Sequence, residues 1–274
     1  MKTVATTIWF NPAPEFAGNI ASYAGAVDHV AVIDNSDGDN GHLLAGMDGV
    51  SYHPQRRNTG IAAALNEGFR IAGDMGADWV LSMDQDSAFP PGQIDALLAR
   101  LAEVAPQSDV AVLAPAIGDH PAQGLEEAEL VITSGSLNRL SAHRAINGFN
   151  ESLFIDQVDF DYCCRLRRAG LRILLDGGVR LAHNLGTPLK RRFLWREFES
   201  DNHAPARRYY QTRNRLFTDA AYPELKGMGR RWIRQDILRI LFLERDKRAK
   251  LRAVWRGYRD YRAGRFGEWR ESES

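Results

Sequence analysis

Two aspartates separated by one residue, Asp84 and Asp86, directly follow the apolar run Trp79-Val80-Leu81. Paired carboxylates form the oxygen-rich kind of site that Mg²⁺ or Mn²⁺ uses when it carries a diphosphate. Two other interpretations compete: Asp84 as a phosphatase nucleophile, or an acidic turn before Pro90. The phosphatase motif needs Thr or Val at position 88, where this chain has Ala88. The metal site and the acidic turn therefore remain open.

A second acidic group contains Asp156, Asp159 and Asp161, followed by Arg165. On a helix that starts near Val158, Asp159 would lie in the first turn, where the helix dipole favours a negative charge. Asp161 and Arg165 have the i, i+4 spacing of a helical ion pair. Apolar residues flank the group, and a partly desolvated carboxylate can act as a general base. The alternative is a helix cap with a surface ion pair.

Two more patterns contain groups that bind anions or metals. His183 follows a short apolar run, and the segment 207–214 reads RRYYQTRN, with Arg213 near its end. Guanidinium groups among tyrosines suit a phosphate or a sugar ligand. A structural hydrogen bond for His183 and a helix face packed by its tyrosines are the alternatives.

The first half of the chain alternates short apolar runs with helical patterns, which predicts an α/β fold with a mainly parallel sheet covered by helices. The predicted strands are Thr3–Trp9, Val30–Ile33, Ser51–His53, Trp79–Met83 and Val110–Ala114. The predicted helices are Pro14–Ala24, Ile61–Ala72 and Pro91–Val104. Farther along, we expect a strand in Val131–Ser136 that ends in a small-residue turn, a helix at Asp159–Gly170, strands at Arg172–Leu175 and Val179–Ala182, and helices beyond Pro205.

Polar residues follow each early strand, and ligands bind beyond the carboxyl ends of parallel strands. These residues are Phe10–Pro12, Asp34–Asp37, Arg56–Gly60 and Asp84–Ser87. Each group alone is typical of turns. Together they predict a single cleft.

The composition is that of a globular protein, with 274 residues, 44% hydrophobic and 26% charged, and a formal net charge of zero. Residues 225–270 hold fifteen Lys or Arg against five Asp or Glu, so we predict a domain at 1–222 and a basic, helical extension at 223–274. An anionic partner is expected for this extension. Adjacent Cys163 and Cys164 do not suit disulfide geometry, which is typical of a cytoplasmic protein. No apolar run is long enough to span a bilayer.

Taken in order, the motifs resemble those of the inverting family-2 glycosyltransferases of the GT-A fold, from Thr3 to about Asp219. They are WFNP at 9–12, IDNSD at 33–37, RNTGIAAALNEGF at 57–69, MDQDS at 83–87, the long segment at 133–170, AHNLG at 182–186 and RRYYQTRN at 207–214. Within that family, FIDQVDFDYCCRLRRAG and RRYYQTRNR are most similar to bacterial rhamnosyltransferases of cell-surface polysaccharide synthesis.

The resemblance implies a donor site made of the residues that match the family motifs. Asn11 and Asp34 would contact the nucleobase. The nucleotide and donor-sugar pocket would be lined by Asn58, Gly60 and Asn66.

The resemblance also implies groups at the diphosphate. Asp84 would reach the ribose or a metal-bound water, and Asp86 would coordinate Mg²⁺ or Mn²⁺. His183 would join the metal or the diphosphate, and Arg213 would assist the leaving group.

The resemblance implies that the general base is an Asp six residues before an Arg. In this chain that Asp is Asp159, and the Arg is Arg165. The family has Glu in the preceding position, where this chain has Val158, so Asp156 is a rival, with Asp161 beside both. The Ser-Gly-Ser at 134–136 would lie near the acceptor or donor sugar.

The implied activity is metal-dependent, inverting transfer of a sugar, with dTDP-rhamnose as donor and a glycan or polyprenyl-diphosphate-linked acceptor. The alternatives are a sugar-1-phosphate nucleotidyltransferase and a non-catalytic module that binds nucleotide sugars or glycans. The basic extension suits peripheral contact with the inner face of the plasma membrane. Packing on its own core or a homodimer interface is the alternative, and no nucleic-acid-binding motif accompanies the charge.

Overall fold

The computed structural model describes residues 1–118, 123–183, 189–193 and 196–269, with only the backbone described at 183, 189–193 and 196–199. The chain divides into two compact units. The first contains Met1–Asn150 and Asp159–Asn184, and the second contains Glu151–Val158 and Leu185–Ser274.

The first unit is a mixed sheet with flanking helices. Its strands in the described residues are β1 (Thr3–Trp9), β2 (His29–Asp34), β3 (Val50–Pro54), β4 (Trp79–Asp84), β5 (Ser87–Ala88), β6 (Val110–Ile117), β7 (Leu125–Glu127), β8 (Ser136–Arg139) and β9 (Arg172–His183). Its helices are α1 (Phe16–Ala24), α2 (Ile61–Asp74), α3 (Gln93–Val104), α4 (Leu140–Ala145) and α5 (Val158–Arg168), with a 3-10 turn at Gly41–Leu44.

The strand order is β3-β2-β1-β4-β8-β6-β9-β5, and β7 pairs with β9. Strands β3, β2, β1 and β4 are parallel, as are β6 and β9. Strand β8 is antiparallel to both β4 and β6 and joins the two parallel blocks. The sheet is therefore mixed, since the antiparallel pairings extend beyond the parallel block that the first half of the sequence predicts.

Buried apolar residues on both faces explain why these segments become central strands. All seven residues of β1 are buried, and so are the first five of β4. Strands covered by helices on both sides read as continuous apolar runs rather than alternating ones. In the predicted segment Val131–Ser136 the small-residue turn is present at Ser134 and Gly135, but the strand before it is wrong: residues 131–133 form a loop, and β8 begins at Ser136. Ser134 and Gly135 turn the chain there, so the apolar residues before them do not enter the sheet.

The second unit contains the strands β10 (Leu189–Phe193) and β11 (Arg196–Ser200), which pair antiparallel. Its helices are α6 (Pro205–Ala221), α7 (Met228–Phe242) and α8 (Lys247–Arg262), with 3-10 turns at Glu151–Leu153 and Pro223–Leu225. This unit begins well before the boundary predicted between residues 222 and 223. Helix α6 belongs to it because Arg213 and Asn214 bond to the loop at 152–156 and α6 lies against α8.

None of the helices in the described part of the chain has both the length and the apolar character that a bilayer crossing requires.

Helix α2 approaches β1 closely at Gly68. A Cβ atom at this position would lie 1.9 Å from Thr6 Oγ1 and 2.8 Å from Thr6 Cβ, and Thr6 is fully buried. A methyl group there would force the helix off the sheet. By contrast, a Cβ atom at Gly18 in α1 would meet no atom within 4 Å.

We therefore expect Gly68→Ala to lower the free energy of unfolding, since overpacking a core costs about 1–3 kcal/mol. The matched variant Gly18→Ala should be neutral or raise it by up to about 1 kcal/mol, because Ala favours helix over Gly. Urea unfolding measures both. Equal effects of the two substitutions would contradict the close approach of α2 to β1.

His143 of α4 lies inside an aromatic cluster that joins three helices. Its ring centroid is 4.2 Å from that of Phe69, 5.3 Å from that of Phe149 and 5.8 Å from that of Tyr162. Burial, with nearby Arg165 and Arg144, lowers the pKa of His143 to about 3. The imidazole is therefore neutral in the folded protein.

Because the folded-state pKa lies below the unfolded value of 6.5, the stabilisation by neutral His143 is complete above pH 6.5. It declines as the pH falls toward 3, by up to about 1.4 kcal/mol per pH unit. We expect His143→Phe to flatten the acid side of the stability profile, measured by urea unfolding between about pH 7 and pH 4. The variant His42→Gln, at an exposed position, should leave the slope unchanged; an unchanged slope in both variants argues against a buried neutral His143.

Candidate active site

The Asp84–Asp86 segment forms a turn at the carboxyl end of β4. Asp84 is the last residue of β4, Gln85 and Asp86 make the turn, and β5 resumes at Ser87. All three turn residues are half-buried. Ser87 pairs with His183 at the end of β9. The backbone of the predicted metal ligand His183 therefore lies beside the residue that follows Asp86, while its side chain lies outside the described atoms.

Gln85, between the two aspartates, ties this turn to the end of β1. Its Oε1 accepts from the Phe10 N–H at 2.8 Å, and its Nε2 donates to the Phe10 carbonyl at 3.3 Å. Asn19 Nδ2 donates to the Gln85 carbonyl at 2.7 Å. Asn11, which follows Phe10, has a left-handed φ of 46° and donates its N–H to Ser36 Oγ at 2.7 Å. Three hydrogen bonds at one residue thus connect the acidic turn to the Asn11 loop and α1.

Ser134 holds the other side of the same turn. Its hydroxyl accepts from the Asp84 N–H at 3.1 Å and donates to Ser87 Oγ at 2.8 Å. Gly135 has a φ of 78°, and a Cβ there would lie 2.8 Å from Leu181 Cδ2 and 2.9 Å from Pro115 Cγ. The turn at Ser134 therefore requires glycine next to it. Both ends of the acidic turn are fixed by backbone and hydroxyl contacts, which leaves little freedom for its main chain.

At the end of β2, Asp34 is fully buried. Its carboxylate accepts hydrogen bonds from the Tyr52 hydroxyl at 2.6 Å, from Asn40 Nδ2 at 2.8 Å and from the Ser36 N–H at 3.0 Å. Burial, together with the bond to Asp34, raises the pKa of Tyr52 to about 12. A nucleobase contact by the Asp34 carboxylate would therefore compete with three internal hydrogen bonds.

Asn35 joins the end of β2 to the loop before α2. Its Nδ2 donates to Asn58 Oδ1 at 3.0 Å and to the Gly60 carbonyl at 3.3 Å. Its Oδ1 accepts from the Thr59 N–H and hydroxyl at 2.9 and 2.8 Å. Gly60 precedes α2 with a φ of 85°. The structure thus brings Asp34, Asn58 and Gly60 together at neighbouring strand ends.

Asn66 lies farther along α2, and its side chain bonds to the backbone of Phe149. Its Nδ2 donates to the Phe149 carbonyl at 3.0 Å, and its Oδ1 accepts from the Phe149 N–H at 2.8 Å. This paired bond fastens α2 to the segment after α4. The observed contacts are structural, and the donor-pocket role of Asn66 stays a prediction.

Asp159 begins α5 and lines a small cavity in the first unit. The cavity is bounded by Val112, Val131, Ile132, Thr133, Ser136, Asn138, Asp159, Tyr162 and Cys163. Asp159 Oδ1 accepts from the Phe160 N–H at 2.9 Å. Burial raises the pKa of Cys163 to about 12, and Asp159 acts in the same direction. Because Ser136 follows Ser134 by two residues, one short segment reaches both the acidic turn and the Asp159 cavity.

Asp161 is paired as its spacing predicts. Its carboxylate is 1% exposed, and Arg165 Nε donates to its Oδ2 at 2.8 Å. Arg165 Nη1 also donates to the Ile146 carbonyl at 2.7 Å. This buried pair fixes α5 to the end of α4, which is a structural role.

Asp156 belongs to the second unit and forms a two-point ion pair. Arg207 Nε lies 2.8 Å from its Oδ2, and Arg207 Nη2 donates to its Oδ1 at 3.1 Å. Asp156 and Gln157 both have φ near 65°, a conformation that is uncommon outside glycine. Asn214 Nδ2 donates to the Asp156 carbonyl at 3.0 Å. A base at Asp156 would first have to release Arg207.

The guanidinium of Arg213 is fully buried inside the second unit, and each of its five N–H donors has a partner. The acceptors are Asn214 Oδ1, Tyr209 Oη and the carbonyls of Gly267, Ser152 and Leu153, at 2.7–3.4 Å. The rings of Tyr209 and Tyr210 also lie near its Cζ, at 5.3 and 5.1 Å. The predicted contact with a leaving diphosphate therefore has no donor left, and Arg213 acts as a structural residue here.

Asp84 and Asp86 fit a divalent cation by the chemistry of their donor atoms. Carboxylate oxygens on one turn suit Mg²⁺ or Mn²⁺, and Mg²⁺ in particular keeps several of its waters and needs few protein ligands. Within residues whose side chains are described, no group of three or more His, Cys, Asp or Glu forms a closed metal cage. The pair is suited to a cation shared with a ligand.

Sequence reasoning singled out the acidic turn but missed the residues that hold it. In the sequence, Gln85 looks like a spacer between the two aspartates. In the structure, its side chain pairs with the Phe10 backbone, 75 residues away. Asn35 lies between Asp34, which is charged, and Ser36, which belongs to the same IDNSD motif. The sequence did hold one signal for both residues: each has an amide side chain within a turn, where backbone N–H and C=O groups need hydrogen-bond partners.

The comparisons with known proteins agree with this geometry. Residues 13–132 match the family described as Glycosyl transferase family 2. The chain is 25% identical over 212 residues to the dTDP-rhamnosyl transferase RfbF of Shigella flexneri, which covers 68% of this chain and 69% of that protein.

Among solved structures, S. aureus TarS 1-349 in complex with UDP is similar to this chain in fold. The TM-score is 0.50 at 16% identity, with 64% of this chain and 57% of that chain covered. The chain thus spans less than two thirds of the TarS structure that it matches. The match at residues 13–132 and the mixed sheet with flanking helices lead to one conclusion: the chain has a GT-A fold, contains a region similar to glycosyl transferase family 2, and is a glycosyltransferase.

Proposed function

We propose that this glycosyltransferase is metal-dependent and inverting, and that it moves L-rhamnose from dTDP-rhamnose to a hydroxyl of a glycan or polyprenyl-diphosphate-linked acceptor. The observation that carries the proposal is the fixed Asp84–Asp86 turn at the carboxyl end of β4, inside a family 2 domain. The donor is supported by the similarity to a dTDP-rhamnosyl transferase. Cys163 and Cys164 are buried and form no disulfide, which supports a cytoplasmic location.

The donor nucleotide would bind along the carboxyl ends of β1, β2, β3 and β4. Asn11, Asn58 and Gly60 lie at these ends or in the loops that follow them. Hydrogen bonds from Gln85 and Asn35 fix those loops before a ligand arrives, and such preorganisation reduces the entropic cost of binding. Asp86, with Asp84 and His183, would hold Mg²⁺ or Mn²⁺, which neutralises charge on the diphosphate.

Asp159 is the proposed general base. A sugar hydroxyl is a weak nucleophile, so a carboxylate that accepts its proton during attack accelerates transfer. The hydroxyl oxygen forms a bond to the anomeric carbon as the bond to the diphosphate breaks, and the configuration inverts. Asp159 is the Asp that the family motif places six residues before Arg165, and it lines a small cavity with Thr133 and Ser136. Asp156 and Asp161 are each held by an arginine.

Asp86→Asn should abolish the dependence of donor binding on a divalent cation, because the amide keeps the shape but loses the charge. Calorimetric titration of dTDP-rhamnose with Mg²⁺, Mn²⁺ or a chelator measures this directly and does not require turnover. The control Asp95→Asn removes a carboxylate at an exposed position of α3 and should bind as the parent does. If chelator has no effect on the parent chain, the metal assignment is wrong.

Asp159→Asn should leave the donor Kd unchanged and reduce kcat by about 100-fold or more, since general base catalysis typically contributes this much. Steady-state kinetics gives kcat, and NMR of the product gives the anomeric configuration. Asp156→Asn tests the rival; if it alone removes turnover, the base is Asp156. Asp161→Asn should instead lower stability, because it leaves Arg165 without its buried partner.

A further inference from the structure

Most carboxylates of the basic segment 225–270 are buried. Asp236, Glu244 and Asp260 are 6%, 1% and 5% exposed. Asp236 pairs with Arg208 at 2.9 Å and also with Arg215 and Arg239. Glu244 pairs with Lys250 at 2.8 Å and with Arg208. Three of the five acidic groups of the segment therefore contribute little negative charge to the surface.

The basic residues that remain face solvent. Arg231 and Arg234 on α7 are exposed, as are Arg248, Arg252 and Arg262 on α8. None of these five forms an ion pair with a residue that the structure describes. Positions 231, 234 and 238 share one face of α7, and positions 248, 252, 255, 259 and 262 share one face of α8. The outer faces of both helices are therefore more strongly cationic than the composition indicates.

Large apolar side chains stand among these cations. At the end of α7, Leu238 is 55% exposed, Leu241 is 41% exposed and Phe242 is 70% exposed. Lys247 begins α8 and donates its Nζ to the Leu241 carbonyl at 2.7 Å, which places its charge beside this apolar group. We call Leu238, Leu241, Phe242, Lys247 and Arg248 the α7 tip.

The exposed face of α8 repeats this combination. Trp255 is 64% exposed and Tyr258 is 39% exposed, and their rings stack at 5.5 Å between centroids. Arg252 and Arg259 flank them on the same helix. Trp and Tyr favour the interface between lipid headgroups and acyl chains.

We propose that the α7 tip docks the protein on an anionic phospholipid surface, with Leu238, Leu241 and Phe242 entering the interface and Lys247 and Arg248 contacting headgroup phosphates. A helix end with apolar side chains between exposed cations has the composition of an interfacial membrane anchor. Juxtaposed basic residues add attraction to anionic lipids within a Debye length. The faces of α7 and α8 supply further positive charge.

Charge argues against the other occupants. A symmetric dimer would place the same cationic patch against its copy, and of the five acidic groups of the segment only Asp246 and Glu268 are exposed to neutralise it. A nucleic acid would match the arginines but would leave Leu238, Leu241 and Phe242 in water. The lipid surface satisfies both the charge and the apolar side chains, and the inference does not depend on which sugar is transferred.

Co-sedimentation of the full chain with vesicles tests the proposal. Binding should be strong with phosphatidylcholine mixed with phosphatidylglycerol, weak with phosphatidylcholine alone, and reduced by added salt. The double variant K247E/R248E should weaken binding to the anionic vesicles by at least about tenfold, and Phe242→Ser by roughly tenfold.

Matched controls come from the first unit. Leu125→Ser removes an exposed leucine of β7, and Arg144→Glu reverses an exposed charge of α4; neither should change vesicle binding. All variants should bind the nucleotide sugar as the parent does, which separates this inference from the proposed activity.

Equal binding to neutral and anionic vesicles, no binding to either, or full binding by K247E/R248E would each overturn the proposal. Analytical ultracentrifugation covers the second-copy alternative: a dimer that dissociates in Phe242→Ser, without vesicle binding by the parent, would assign the tip to self-association. A shift of the parent chain with an oligonucleotide but not with vesicles would assign it to nucleic acid.

Discussion

The candidate active site depends on the hydrogen bonds that hold the turn between Asp84 and Asp86. A turn with two carboxylates so close together is opposed by their mutual repulsion, and its backbone must find partners after β4 ends. Gln85 supplies them on one side through the Phe10 backbone, and Ser134 supplies them on the other through Asp84 and Ser87. These contacts fix the backbone from which both carboxylates project.

The same hydrogen bonds explain how distant segments come to share the site. Strands β1 and β4 are parallel neighbours, so their carboxyl ends meet at one edge, where Gln85 bridges them. Strand β8 enters antiparallel beside β4, which brings Ser134 and Ser136 to the same edge from the opposite direction. The Asp159 cavity lies against that segment. The segment 134–136 therefore contacts the turn that carries the proposed metal ligands and also lines the cavity of the proposed base, Asp159.

In the second unit, charges are sorted by burial. The carboxylates of Asp236 and Glu244 lie inside with arginine and lysine partners, and the surplus cations of α7 and α8 lie outside with Leu238, Leu241 and Phe242. A buried carboxylate without a partner would be costly, so each takes one or more basic residues with it. This arrangement is stabilising only with all partners in place, and it leaves the outer faces of α7 and α8 for contact with another surface.

The sequence by itself determined the order of strands and helices in the first half, the resemblance to a family, and the position of the acidic turn. The apolar run Trp79-Val80-Leu81 predicts a buried β4, and the ordered motifs resemble those of the family whose model matches residues 13–132. Local spacing also predicted the Asp161–Arg165 pair, since i, i+4 neighbours on a helix depend on no distant residue.

Only the tertiary structure decided which side chains are available for chemistry. Arg213 looks like an anion-binding residue in the sequence, but the loop at 152–153 and Gly267 take its donors. Gln85 looks like a spacer, yet it is paired with Phe10, the residue that follows β1. Hydrogen-bond partners 50 or more residues apart are set by how the elements pack (here the separations are 54 to 75 residues), and no local pattern in the chain encodes them.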